Sequence, residues 1–400
     1  MTARRHPGTI AEVFGVFLRL GLTSFGGPVA HLGYFRDTFV ERRKWLEDRV
    51  YADLVALCQF LPGPASSQVG MAIGLQRAGL GGMLAAWFAF TMPSAIVLVA
   101  FAYGVAALGD AAGSGWLAGL KAAAVAVVAQ AVLGMAKSLT PDAKRATIAG
   151  LAMIVVLLVP NAAVQVAAIV LGGLLGFFWL RREASEDAGE GGSFPVQVPR
   201  GLAIGALVAF VALLLLLPVA VAVTGDPGLR LADVFYRAGS LVFGGGHVVL
   251  PLLESGTVQT GLVGHDAFLA GYGAAQAVPG PLFTFAAFLG ASTTTGPTGI
   301  AGATIALVAM FLPAGLLVLG VLPFWDRLRR SHRTRRALMG VNAAVVGILG
   351  AALYNPVFLQ GVTSPATLAV AVAAFVALTQ WKVPAWAVVI VAGLLGFFLL

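Results

Sequence analysis

Phe17-Leu-Arg-Leu-Gly-Leu-Thr-Ser-Phe-Gly-Gly-Pro28 recurs later in the chain as Phe235-Tyr-Arg-Ala-Gly-Ser-Leu-Val-Phe-Gly-Gly-Gly246. The first Phe, the Arg, the first Gly and the Phe-Gly-Gly keep their spacing. A second pair follows: Gln59-Phe-Leu-Pro-Gly-Pro64 matches Gln276-Ala-Val-Pro-Gly-Pro281. A third closes each copy, Gly173-Leu-Leu-Gly-Phe-Phe178 and Gly393-Leu-Leu-Gly-Phe-Phe398. In a helix Gly costs about 1 kcal/mol and Pro about 3, so each copy carries two built-in breaks. A twofold repeat of broken segments in an apolar chain points to a transporter whose site lies where the halves meet.

Composition makes the apolar setting concrete. Of 400 residues, 59% are hydrophobic and 10% charged, and mean hydropathy is +0.92. Soluble domains carry about 25% charged residues. Runs of spanning length recur, among them 82–104, 117–136, 202–223 and 384–400. A soluble core cannot absorb that many nearly uncharged helices, so an all-α polytopic membrane protein is expected. The net charge of +8 sits in short loops beside the spans, which is a membrane-topology pattern and no nucleic-acid footprint. The first apolar segment leads into a basic loop and not a cleavage site, so the spans themselves are expected to direct insertion. One cysteine, Cys58, excludes an internal disulfide, and five histidines show no ligand spacing, so no metal or cofactor is expected. No nucleotide loop or nucleophile–base–acid set is present, which argues against an enzyme.

The polar stretch 181–200 reads as a linker. The domains are then a first repeat within 1–180, the linker, a connecting span at 201–223 and a second repeat at 231–400. Their charges are mirrored. Arg36, Arg42, Arg43, Lys44 and Arg49 crowd one loop of the first half, while its match, 254–267, has no Lys or Arg. Arg327, Arg329, Arg330, Arg333, Arg335 and Arg336 match the uncharged-by-cation loop 108–115. Because Lys and Arg mark the cytoplasm, the second repeat is expected upside down, with the N-terminus and linker cytoplasmic. Segments 11–35 and 51–76 must then start and end on one side, which makes them re-entrant hairpins that turn at their breaks. Full spans kinked at Pro are the alternative.

Arg19 and Arg237 are the sharpest candidate site residues. They are repeat-matched, and Arg19 lies roughly 12 Å along its helix from Ala11. Intramembrane cations mark function, and two guanidinium groups suit a dianion; snorkelling, or pairing of Arg237 with Asp233, is the bland alternative. The breaks Ser24, Phe25, Gly26, Gly27 and Phe243, Gly244, Gly245, with Pro62, Gly63, Pro64 and Pro279, Gly280, Pro281, free backbone N–H groups at half-helix N-termini that favour anions. Ser67 and Thr284 are matched hydroxyls, Gln59 and Gln276 matched amides; each either donates to an oxyanion or satisfies broken backbone. His31, His247 and Asp53 are candidates for proton coupling.

The motif from Phe17 to Pro28, with Leu61-Pro62-Gly63-Pro64, resembles the chromate ion transporter family, and Leu241–His247 with Val278-Pro279-Gly280-Pro281 looks like the same pair in that family's second half. The resemblance covers essentially the whole chain in the fused, two-domain form; Gly246 departs from it, standing where Pro28 stands in the first half. It implies a plasma-membrane exporter of chromate, driven by the proton-motive force and conferring chromate resistance. Another tetrahedral oxyanion such as sulfate fits the same residues, and an anion channel or membrane scaffold is the alternative of a different class. The expected partners are the oxyanion, protons and the lipid bilayer; a homodimer is left open.

Overall fold

The computed structural model describes residues 7–108, 115–159, 162–180, 194, 198–243, 249–324 and 332–399. Among these the chain is helical and has no strand. The first half runs α1 Ile10–Thr23, α2 Gly27–Arg36, α3 Asp48–Phe60, α4 Ala65–Leu108, α5 Gly115–Leu139, α6 Ala143–Leu158 and α7 Ala162–Trp179. After α8, Arg200–Thr224, the same order returns: α9 Pro227–Leu241, α10 Val249–Leu253, α11 His265–Ala277, α12 Phe285–Ala291, α13 Gly299–Val321, α14 His332–Ala352, α15 Pro365–Thr379 and α16 Ala385–Leu399. α4 is broken at Ala78 and Gly79, where Gly79 has φ 66. It is thus a half-length arm followed by a spanning helix, the counterparts of α12 and α13.

Five helices among the described residues are long and apolar enough to cross a membrane. α8 is the extreme case, with mean hydropathy 3.0 and 6% of its core window buried. Val208, Leu215 and Val223 of α8 point outward, as do Leu84 and Ile96 of α4. Exposed aliphatic surface on this scale is stable only where lipid is the solvent.

The arm ends decide between hairpins and kinked spans. Gly8 donates its N–H to the Arg77 carbonyl at 3.0 Å, and Arg77 pairs with Glu12 at 3.1 Å. Arg43 and Arg77 both lie over the Trp45 ring, at 5.6 and 4.6 Å. The start of α1, the return from α2 and the end of the first α4 arm therefore share one face. Arg36 ties that return to the start of α3 through Asp48 at 2.7 Å. The second half repeats the arrangement: Arg230 donates to the Thr260 carbonyl at 3.4 Å, and Thr294 N–H to the Leu262 carbonyl at 2.8 Å. Each half therefore sends two hairpins in and back from one face.

The two faces are opposite. Past its break, α4 runs from Gly79 to Tyr103, whose hydroxyl sits where a Gly299 side chain would be, 2.5 Å from that position. At 1.5 Å per residue this is about 35 Å, enough to cross a bilayer core of about 30 Å. The halves are inverted with respect to each other. In the second half α9 begins at Pro227, and Asp226 caps it by accepting from Leu229 N–H at 2.7 Å. Asp followed by Pro is a helix-start pair that charge mirroring overlooks. Most of the expected linker, 181–193 and 195–197, lies outside the described residues, as do Arg327, Arg329 and Arg330.

The last two helices of each half change sides. α6 and α7 pack on α14, while α15 and α16 pack on α5. Glycines make the crossings close. A Cβ on Gly340 would stand 2.0 Å from the Gly172 carbonyl, and one on Gly119 would stand 2.1 Å from the Ala392 carbonyl. Small residues let helix backbones approach where lipid supplies no hydrophobic drive.

Candidate functional site

The breaks of one half meet the breaks of the other. Gly63, in the Pro-Gly-Pro turn of the first half, donates its N–H to the Val242 carbonyl at 2.7 Å. Gly280, its counterpart, donates to the Ser24 carbonyl at 2.8 Å. Ser24 and Val242 are the residues just before the matched Phe-Gly-Gly breaks. Exchanging the halves exchanges the two bonds. Both glycines have positive φ, 115° and 96°, so the turns need a residue without a Cβ.

The spanning helices flank this crossing. α4 carries Pro93 and α13 carries Pro313 inside helix. Pro removes a helix hydrogen bond and leaves a carbonyl free nearby. Gly21 packs against the Ala89 and Phe90 carbonyls, and Gly239 against Met310, so each first arm sits directly on a spanning helix. A Cβ on Gly280 would stand 2.8 Å from Ser94 Oγ; one on Gly63 would stand 3.4 Å from Ala314 Cβ.

Around the crossing, several buried polar atoms have no hydrogen-bond partner: Ser24 Oγ, His31 Nε2, Ser67 Oγ, Gln68 Oε1 and Thr91 Oγ1. All five side chains belong to buried residues. His31 approaches Ser66 Oγ through Nδ1 at 3.4 Å and meets the Phe90 ring edge-on at 5.3 Å. Gln68 donates to the Pro62 carbonyl at 2.7 Å, and Ser94 to the Thr91 carbonyl at 3.1 Å. Native interiors leave few polar groups unpaired, and a concentration of them marks a place prepared for something else.

The expected site residues divide. Ser24, Gly63, Pro64, Ser67, Gly280, Pro281 and His31 are gathered at or beside the crossing, and Gly26 and Gly27 form the left-handed turn into α2, with φ 101° and 76°. Phe25 is half-buried with its ring 5.7 Å from Trp386. Phe243 packs against the main apolar core. Pro62 and Pro279 are half-buried. Thr284 donates its hydroxyl to the Pro281 carbonyl at 2.7 Å, satisfying its own turn. Gln276 is half-buried with Nε2 unpartnered, while Gln59 is exposed at the end of α3. Asp53 is half-buried within α3. Gly244, Gly245 and His247 lie outside the described residues.

The two arginines differ. Arg237 pairs with Asp233, one turn earlier on α9. Arg19 is exposed on α1 and has no ion pair among the described residues. The position matching Asp233 is Gly15, so the first half lacks the counter-charge. Thr91, Ser94 and Gln68 are buried polar residues beside the crossing that pattern reading passed over. Thr91 and Ser94 bracket Pro93 inside an apolar run, and that polar pair around a proline was their one signal.

A chromate transporter family profile matches residues 11–177 and 229–397, one match per half. The chain belongs to the chromate transporter family. It is 29% identical over 366 residues to a chromate transport protein of Pseudomonas aeruginosa, covering 86% of this chain and 80% of that one. A chromate transport protein of Cupriavidus metallidurans is 28% identical over 353 residues, covering 86% and 82%. An uncharacterized transporter of Methanocaldococcus jannaschii is 25% identical over 352 residues, covering 87% and 84%. No solved structure matches the chain. Family members of this kind are integral, multi-pass transport proteins, and the helices described here are those of one.

Proposed function

We propose that this protein exports chromate across the plasma membrane, using the proton-motive force, and so confers chromate resistance. The observation that carries the reading is the crossing of the two broken turns, Gly63 to Val242 and Gly280 to Ser24, inside a shell of unpartnered polar groups. Hydroxyls at Ser24, Ser67 and Thr91 and the Gln276 amide offer donors to a tetrahedral oxyanion. Arg19 supplies a charge that no carboxylate among the described residues cancels, and Arg237 supplies one held in reserve by Asp233. The turns reach across between inverted halves, so rocking one half against the other exposes the crossing to each side in turn. The domains are a repeat within 1–180, a linker at 181–200, a connecting span and an inverted repeat after it, with the N-terminus and linker cytoplasmic. His31 stands beside the crossing as a candidate to exchange a proton with the anion cycle.

The test is chromate uptake into inverted vesicles under an imposed inside-acid gradient, with and without excess sulfate. Saturable uptake that collapses with the gradient supports export; competition by sulfate measures how far shape and charge alone select the substrate. Absence of gradient-dependent uptake, in vesicles that contain folded protein, overturns it. A sulfate transporter is the second reading, since sulfate offers the same charge and geometry to the same donors. Non-saturating flux would assign a channel, and no flux of either anion a scaffold.

A further inference from the structure

A small cavity lies away from the crossing, beside the end of the second-half hairpin. Its volume is about 40 Å³, room for one water or a few. It is lined by Glu254 and Gln259 from the second-half hairpin, Gln165 from α7, Asn355 after α14, and apolar residues including Pro251 and Ile348. Both halves therefore build it. Glu254 is 8% exposed and Gln165 3% exposed. Gln259 Nε2 donates to Glu254 Oε2 at 2.9 Å. Gln165 Oε1 is buried with no partner.

The acceptors of this lining are not all satisfied. The Glu254 carboxylate offers only acceptors, Gln165 Oε1 is a further acceptor with no partner, and among the amides of Gln165, Gln259 and Asn355 that line the cavity, only Gln259 donates to the carboxylate. No cation pairs with Glu254 among the described residues. Helices packed on the Glu254 turn carry Arg230, Asp233 and Arg237 on α9, and His265 and Asp266 on α11; none lines the cavity. Arg230 is engaged by Thr260, Arg237 by Asp233, and Asp266 by Lys121. A buried, unpaired carboxylate beside a second unsatisfied acceptor calls for a positive charge or a proton. A protonated Glu254 carboxyl supplies the missing donor, directly or through a water, to Gln165 Oε1.

We propose that Glu254 is a proton-binding group of the transport cycle, loaded from the face that bears the second-half hairpin ends. The carboxylate takes one proton from water on that face and returns it to water on the other face after the halves have moved. This rests on the proton-driven reading above. The matched position in the first half is Arg36, which is exposed and bound by Glu41 and Asp48, so the proton site belongs to one face alone. The positive-inside pattern makes that face the outer one, where a proton-driven exporter collects its protons.

The experiment pairs a substrate-free readout with a flux assay on the full-length protein in liposomes. Infrared difference spectra recorded across pH, without chromate, should contain a protonated-carboxyl band that Glu254→Gln removes. Gradient-driven chromate uptake should fall by more than about tenfold in Glu254→Gln, while chromate counterflow at equal pH stays within about twofold of wild type. Glu254→Asp should restore part of the gradient-driven rate. A titrating band unchanged in Glu254→Gln overturns the assignment, as does wild-type gradient-driven uptake in that variant. Stimulation of wild type by a sodium gradient in place of a proton gradient overturns it too, in favour of a metal cation in the cavity. If wild type moves no chromate and the band still disappears in Glu254→Gln, the proton site stands and the substrate reading falls.

Discussion

Gly63 and Gly280 hold the same place in inverted halves and make the same bond in opposite senses, Gly63 to the carbonyl before Phe243 and Gly280 to the carbonyl before Phe25. Neither turn is complete without the other half. The crossing is therefore the place where a change in one half is felt by the other at once.

Alanine at either glycine should cost about 1–3 kcal/mol through positive φ alone. Gly280→Ala should be the worse, because its methyl would meet Ser94 Oγ at 2.8 Å and the Phe90 carbonyl at 3.2 Å. Thermal unfolding in detergent measures this, and Ser94→Ala should recover part of the loss in the Gly280→Ala background only.

The matched arginines should fail differently. Arg237→Ala leaves Asp233, a side chain 10% exposed, without its partner and should destabilise by about 1–2 kcal/mol, a figure discounted for the solvent-accessible arginine. Adding Asp233→Asn should restore stability. Arg19→Ala removes no ion pair and should leave melting unchanged while reducing chromate flux. Parallel flux and melting curves for both variants check the contrast.

Two glycines of α5 make a matched test of the exchanged packing. A methyl at Gly119 would stand 2.1 Å from the Ala392 carbonyl, whereas Gly134 has open space around it. Gly119→Ala should destabilise by about 1–3 kcal/mol by forcing α16 away. Gly134→Ala should be neutral or stabilising by up to about 1 kcal/mol. Denaturation midpoints compare the two directly.

Acid should loosen the strap between the hairpins. The hydrogen bond from Arg36 holds the Asp48 carboxyl below its ordinary value of 3.8. A carboxyl depressed in the folded state stabilises at every pH above its unfolded value, and that contribution disappears as pH falls through the folded one. Wild type should therefore lose more stability below about pH 4 than Asp48→Asn does, and melting temperature against pH reads the difference.

The repeat, the hairpins and their opposed faces were legible in sequence because Gly, Pro and clustered Lys and Arg act locally. Pro62-Gly63-Pro64 breaks a helix whatever surrounds it, and Arg43 marks a loop without reference to the fold. The exchange of terminal helices was not legible. Gly172 and Gly176 offer a smooth face to any partner, so nothing local says that α14 takes it. Thr91 and Ser94 escaped notice because two small polar residues barely disturb an apolar run. The inequality of Arg19 and Arg237 was half visible: Asp233 stood in view as a partner, and its absence at the matched Gly15 gained weight only once Arg19 was seen exposed with no ion pair among the described residues.

The exchange of α6 and α7 against α15 and α16 bears on how such a chain is made. During synthesis α6 and α7 leave the ribosome long before α14, the helix they clasp. α5 waits longer still for α16. The first half must sit in the lipid with its glycine stripes uncovered until the second arrives, and a chain halted at the linker would present those stripes to any passing helix. Gly172 and Gly176 left bare would therefore distinguish a chain halted at the linker from a finished one.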